Sequence, residues 1–204
     1  GWGDATIDPS NINSTSLAIT ALRFTASGEA NAEERQALAR AQSSLDRFGG
    51  WAAVGDPARC SMSGPCRTAA ALADIMDPRR IKRLRPEVIL LPRRFRRTIS
   101  VTFPAYLTLS TLHSTMAGHP LNALPTYKRA LRAVEIWLSK AQGPGGSFEE
   151  SAFLTSIVIM ALTAAGRGQL PWLAAAIQYV VGNQREDGAW PIDRDLENFD
   201  TAMT

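Results

Sequence analysis

An all-α fold of stacked helix pairs is what this sequence predicts, on three observations. Residues 184–190 read Q-x-x-x-G-x-W, and residues 142–148 read Q-x-x-x-G-x-F forty-two positions earlier. A looser copy, Q-S-S-L-D-R-F-G-G-W, spans residues 42–51, and Gly1-Trp2-Gly3 has the form of the end of a fourth. Around each of the three longer copies, a helix-spaced apolar segment leads into a glycine-rich aromatic turn. A period of about 40 to 50 residues with this punctuation is the mark of helix-pair repeats.

The elements follow in order from the same pattern. Residues 38–48 carry apolar side chains at helical spacing ahead of the Gly49-Gly50-Trp51 turn. Residues 78–97 contain three prolines, which break any long helix there. Residues 127–141 form the helix before the second turn. Residues 151–165, S-A-F-L-T-S-I-V-I-M-A-L-T-A-A, are apolar almost all round and predict a helix buried on most sides. Residues 173–183 lead into the last turn, and 196–204 begin another helix. In each turn the glycines stop a helix, and the Gln and the aromatic can tie the turn to its neighbour by hydrogen bonds and ring burial. Structure is therefore the first reading for Gln and Trp, ahead of catalysis.

Composition fits a soluble helical protein: 45% of the 204 residues are hydrophobic, enough to bury a sizeable core. No run of 18 apolar residues exists and no signal peptide is visible. Cys60 and Cys66 stand in C-S-M-S-G-P-C, a spacing that matches no standard zinc pattern. Two free loop thiols fit a reducing, cytoplasmic setting. His113 and His119 are the only histidines, and neither stands in a ligand motif, so neither a metal nor any other cofactor is expected.

Charge is uneven. Between Arg79 and Arg97 lie nine of the 22 basic residues against one acid, Glu87, so the remainder of the chain is acidic. Two basic clusters flank Val88-Ile89-Leu90-Leu91. Cations around exposed apolar side chains suit the surface of an anionic membrane, which predicts peripheral attachment there. The competing reading is a solvated loop outside the helices. A nucleic-acid partner is not expected, because only one aromatic, Phe95, accompanies the charge and no binding motif does.

The repeated turns resemble the QW repeats of squalene-hopene cyclases and related class II terpene cyclases. Ala41-Gln42-Ser43-Ser44 with Gly49-Gly50-Trp51-Ala52-Ala53 resembles their M-Q-S…G-G-W-x-A turn, and Trp190-Pro191-Ile192-Asp193 resembles the segment after their last turn. Gly1-Trp2-Gly3 with Pro9 and Thr15 resembles the approach to their aspartate-rich motif. The resemblance covers residues 1–66 and 127–204 and is loose over 78–126. It implies one α/α toroid segment over residues 1–204 with a basic, proline-rich insert around 78–97. At about 45 residues per helix pair the chain holds too few pairs to close that family's ring.

The resemblance also implies intramolecular cyclisation of a long isoprenoid, started by the middle acid of D-x-D-D-T-A, with aromatic walls stabilising the carbocation. This chain departs from the family at that point. The corresponding register holds Asn11, Asn13 and Ser14, and an amide cannot supply the proton. A second register, residues 197–202, places Phe199 where the donor should stand. The remaining candidate acids are Asp193 and Asp195, whose position near a helix start also suits capping. Phe103, Tyr106, Phe148, Phe153 and Trp190 are the candidate substrate-binding aromatics. Protein prenyltransferase β-subunits share the toroid but need a zinc-bound Asp, Cys and His that this sequence does not set out. Two functions follow: an isoprenoid cyclase, or an isoprenoid- or lipid-binding module or scaffold that has lost the acid.

Overall fold

The computed structural model describes residues 9–25, 31–81, 84–92, 103–118, 120–184, 186 and 190. Among these residues the fold is all-α, with an isolated bridge between Phe148 and Ser151 and no sheet. Two compact units divide the chain, Gly1–Lys82 and Arg83–Thr204.

In the first unit, α1 (Ile12–Thr25) packs on α2 (Ala32–Arg47) and on α4 (Ser63–Leu72), with the short α3 (Gly50–Val54) between the latter two in sequence. The second helix begins six residues before the apolar spacing does, because Asn31 and Glu34 close a capping box. The Asn31 side chain accepts from the Glu34 N–H at 2.9 Å, and the Glu34 carboxylate accepts from the Asn31 N–H at 3.0 Å. It ends where Gly49 and Gly50 take φ of +100° and +64°, a pair of left-handed residues that side chains disfavour. The core is Ile12, Ile19, Ala41, Leu45, Ala53, Val54 and both cysteines. Asp77 opens a 3-10 turn, Pro78–Arg80, by accepting from the Arg79 N–H at 2.9 Å.

The second unit contains a 3-10 turn (Pro86–Leu90), α5 (Phe103–Ala117), a 3-10 turn (Pro120–Ala123), α6 (Pro125–Ala141), α7 (Ala152–Ala164) and α8 (Leu173–Gly182). Helix α5 packs on α7, α7 on α8, and α6 on the Pro86–Leu90 turn. The register of α6 is that of an amphipathic helix: Tyr127, Ala130, Val134 and Leu138 are buried, at steps of three or four. Ser151 caps α7 by accepting from the Leu154 N–H at 3.2 Å. Tyr179 donates its hydroxyl to the Glu150 carbonyl, and Arg167 pairs with Glu135.

The interior position falls to a different helix from the one the hydropathy points to. Residues 152–164 bury one side only, leaving Phe153 41% exposed, whereas α5 is buried almost continuously from Phe103 to Ser114. Helix α5 tolerates this because its hydroxyls are satisfied within the helix. Thr108 donates to the Pro104 carbonyl at 3.0 Å, Ser110 to Leu107 at 2.7 Å and Thr111 to Leu107 at 2.9 Å. Ala105, Leu109 and Leu112 of α5 share a buried cluster with Ile157 and Ala161 of α7.

The basic stretch divides. Arg79, Arg80 and Arg85 are exposed, while Pro86 and Ile89 are buried and Leu90 and Leu91 are exposed. Lys82, Arg83 and residues 93–100 lie outside the described residues. No described helix is long and apolar enough to cross a membrane.

Candidate functional site

Asn11, Asn13 and Ser14, the residues set against the acid motif in the sequence comparison, sit at the start of α1. Asn11 caps the helix, its Oδ1 accepting from the Ser14 N–H at 2.9 Å. Asn13 faces the segment before α4 and uses both ends of its amide. Its Nδ2 donates to Ser61 Oγ at 3.0 Å, while its Oδ1 accepts from Cys60 Sγ at 3.1 Å and from the Met62 N–H at 3.4 Å. The Asn13 carbonyl accepts from Ser16 Oγ at 2.9 Å and takes a longer contact of 3.9 Å from Cys66 Sγ. One side chain thus fastens α1 to a loop distant in sequence.

The cysteines differ from the loop thiols the sequence suggests. Cys66 lies in the first turns of α4, and both are free and fully buried in the core of the first unit. Burial pushes both thiols up. The neighbouring Cys66 and the Met62 backbone moderate the rise at Cys60, and Ser16 moderates it at Cys66, which is nevertheless pushed up to about 12. Below the ordinary thiol value of 9.0, folded and unfolded chains both keep the Cys66 proton, and its contribution to stability is constant. From there to about 12 only the unfolded chain ionises, so stability is lost as pH rises across that window. The melting temperature should therefore fall more steeply over this window in the wild type than in Cys66→Ala. Equal steepness in the two would overturn the assignment.

Three of the five candidate aromatics share the core of the second unit. Phe103 stacks on Tyr106 with ring centroids 6.4 Å apart and meets Trp137 edge-on at 5.0 Å. Phe148 is fully buried and meets Trp172 edge-on at 6.0 Å. Phe153 stands apart on the exposed side of α7, and Trp190, 46% exposed, donates from Nε1 to the Val180 carbonyl at 2.7 Å. Asp193 and Asp195 lie outside the described residues, as does His119. His113 is buried on α5, and no group of three His, Cys, Asp or Glu side chains among the described residues could hold a metal ion.

The Gln142 turn ties the end of α6 to the start of α8. Gln142 Nε2 donates to the Gly146 carbonyl at 2.8 Å and to the Trp172 carbonyl at 3.1 Å, bridging the turn to the start of α8. Gly146 has φ of +92° and lies against the backbone of Ala175. Just beyond, Glu149 and Glu150 both adopt positive φ, 52° and 54°, which side chains seldom do. Gln42 behaves differently: its Nε2 donates to Asp46 Oδ1 at 2.8 Å, within its own helix.

Sequence reasoning missed Asn13 as a hydrogen-bonding node, because its partners lie 47 to 49 positions away. The available signal was polar clustering: Asn13, Ser14, Thr15, Ser16 and Thr20 fall in the first nine residues of α1, and three of these five are buried. Comparisons of the chain with protein-family models, with curated proteins and with solved structures gave no match in any of the three.

Proposed function

We propose that the chain is a segment of a squalene/terpene cyclase-like α/α toroid that binds a long isoprenoid or lipid without cyclising it. The observation that carries this reading is Asn13. It stands where the resembled enzymes place the proton donor, it has no acidic proton, and its amide is committed to Ser61, Cys60 and Met62. The packing of Phe103 and Phe148 against Trp137 and Trp172 also favours a structural use of these rings over a role as free cation-stabilising walls.

Apolar surface for such a ligand is present along α8. Ile177 and Val181 lie four residues apart and are 45% and 64% exposed, and Trp190 is held to the adjacent Val180 carbonyl. The basic residues between Arg79 and Arg97, with Leu90 and Leu91 exposed among them in sequence, suit peripheral contact with anionic lipid.

The test is incubation with squalene and with shorter polyprenoids, presented in liposomes with and without anionic lipid. Retention of polyprenoid, stronger on anionic liposomes, with no cyclised product by mass spectrometry is the expected result. A cyclised product would favour the cyclase reading, and its loss in Asp193→Asn or Asp195→Asn would identify the acid. Failure to retain any polyprenoid would overturn both.

A further inference from the structure

The first unit carries a cleft of about 540 Å³ formed by α3, α4 and the segment around the Pro78–Arg80 turn. Its volume is that of a small-molecule site, which calls for an apolar wall and a few convergent polar groups. The apolar wall is Trp51 of α3 with Ile75 and Met76. Trp51 and Ile75 are half-buried and also pack on the core of this unit, so that wall is held from behind.

The polar groups are two arginines. Arg67 of α4 donates from Nη2 to the Arg80 carbonyl at 2.9 Å, which fixes its guanidinium beside the turn. Its Nε is buried and has no acceptor. The Arg80 guanidinium has no hydrogen bond or ion pair among the described residues, although its main chain is engaged at both ends. Buried donors nearly always find an acceptor, and guanidinium forks match planar or tetrahedral oxyanions.

Two acids, Asp56 and Asp77, also line the cleft, and neither forms an ion pair with these cations among the described residues. Asp56 Oδ1 accepts from the Ala58 N–H at 2.9 Å and Asp77 Oδ1 from the Arg79 N–H at 2.9 Å, both local turn bonds. Local capping holds one oxygen of each acid to the backbone, while the Arg80 guanidinium stays available beside an aromatic ring.

We infer that this cleft binds a small molecule with an oxyanion, phosphate or carboxylate, on a flat apolar body. The anion meets Arg80 and the outward edge of Arg67, and the body lies against Trp51 and Met76. This inference is independent of the isoprenoid reading, since it uses none of the residues on which that reading rests.

Titration calorimetry with phenyl phosphate, benzoate, inorganic phosphate and phenol tests it. Phenyl phosphate or benzoate, whichever oxyanion fits, should bind at least about tenfold more tightly than inorganic phosphate or phenol, because either part alone forfeits one set of contacts. Arg80→Gln, which alters an exposed side chain without a partner, should weaken that binding about tenfold with an unchanged circular dichroism spectrum. Trp51→Leu should weaken it as well, and added salt should weaken it in the wild type. Absence of binding by both aromatic anions, or equal affinity in wild type and Arg80→Gln, would overturn the inference.

Discussion

Gly146→Ala should cost about 4 kcal/mol of stability or more, among the largest single effects expected anywhere in this chain. A Cβ at this position would lie 2.2 Å from the Ala175 carbonyl oxygen and 2.5 Å from its carbon, and the residue would be held at φ of +92°. The obstruction is main chain inside α8, so relief requires the helix to move rather than a side chain to swing. A loss of this size is a large share of a domain's stability, about 5 to 15 kcal/mol. Urea unfolding checks it, with Gly145→Ala as the control because nothing lies within 4 Å of the added carbon there. Equal midpoints for the two variants would contradict the geometry of the turn.

Phe148→Ala should be nearly as damaging, at about 3 to 5 kcal/mol. The ring is fully buried, it meets Trp172 edge-on, and its loss leaves a cavity in the core it shares with Val158, Leu162 and Leu173. The Phe148 N–H also donates to Thr155 Oγ1 at 2.9 Å, so the backbone of the turn is fixed from the same place. Phe148→Leu should recover much of the stability because it refills volume. If the ring served a ligand and not the core, Phe148→Ala would lose polyprenoid retention while its unfolding midpoint stayed put. Measuring both quantities on one preparation separates the two roles.

The helices were legible because they depend on local spacing. The buried steps of Tyr127, Ala130, Val134 and Leu138 are visible in the sequence, and so are the Gly-rich stops that follow them. The Gln142 turn was legible for the same reason: a long amide before a glycine and an aromatic has few other uses. What escaped depends on partners far along the chain. Asn13 reads as a vacated catalytic position until Ser61, Cys60 and Met62 are brought beside it. Helix α5 carries hydroxyls through an interior position because they close on carbonyls of their own helix, a pairing that spacing alone does not display. Arg67 and Arg80 gave no signal in sequence, since nothing in their spacing marks a shared cleft. Of the candidate site residues, Phe103, Tyr106 and Phe148 come together in one core, whereas Asp193 and Asp195 fall outside the described residues.

The Asn13 node gives the first unit a built-in clock. The Met62 amide proton points at Asn13 Oδ1, a side-chain oxygen carried by another helix. Its exchange with deuterium is therefore governed by the detachment of α1, and not by fraying of the loop to which Met62 belongs. A single backbone amide thus reports how often the first helix leaves its seat. The Asn13 amide, which in a cyclase would be judged by turnover, is here read by the protection it gives to one hydrogen.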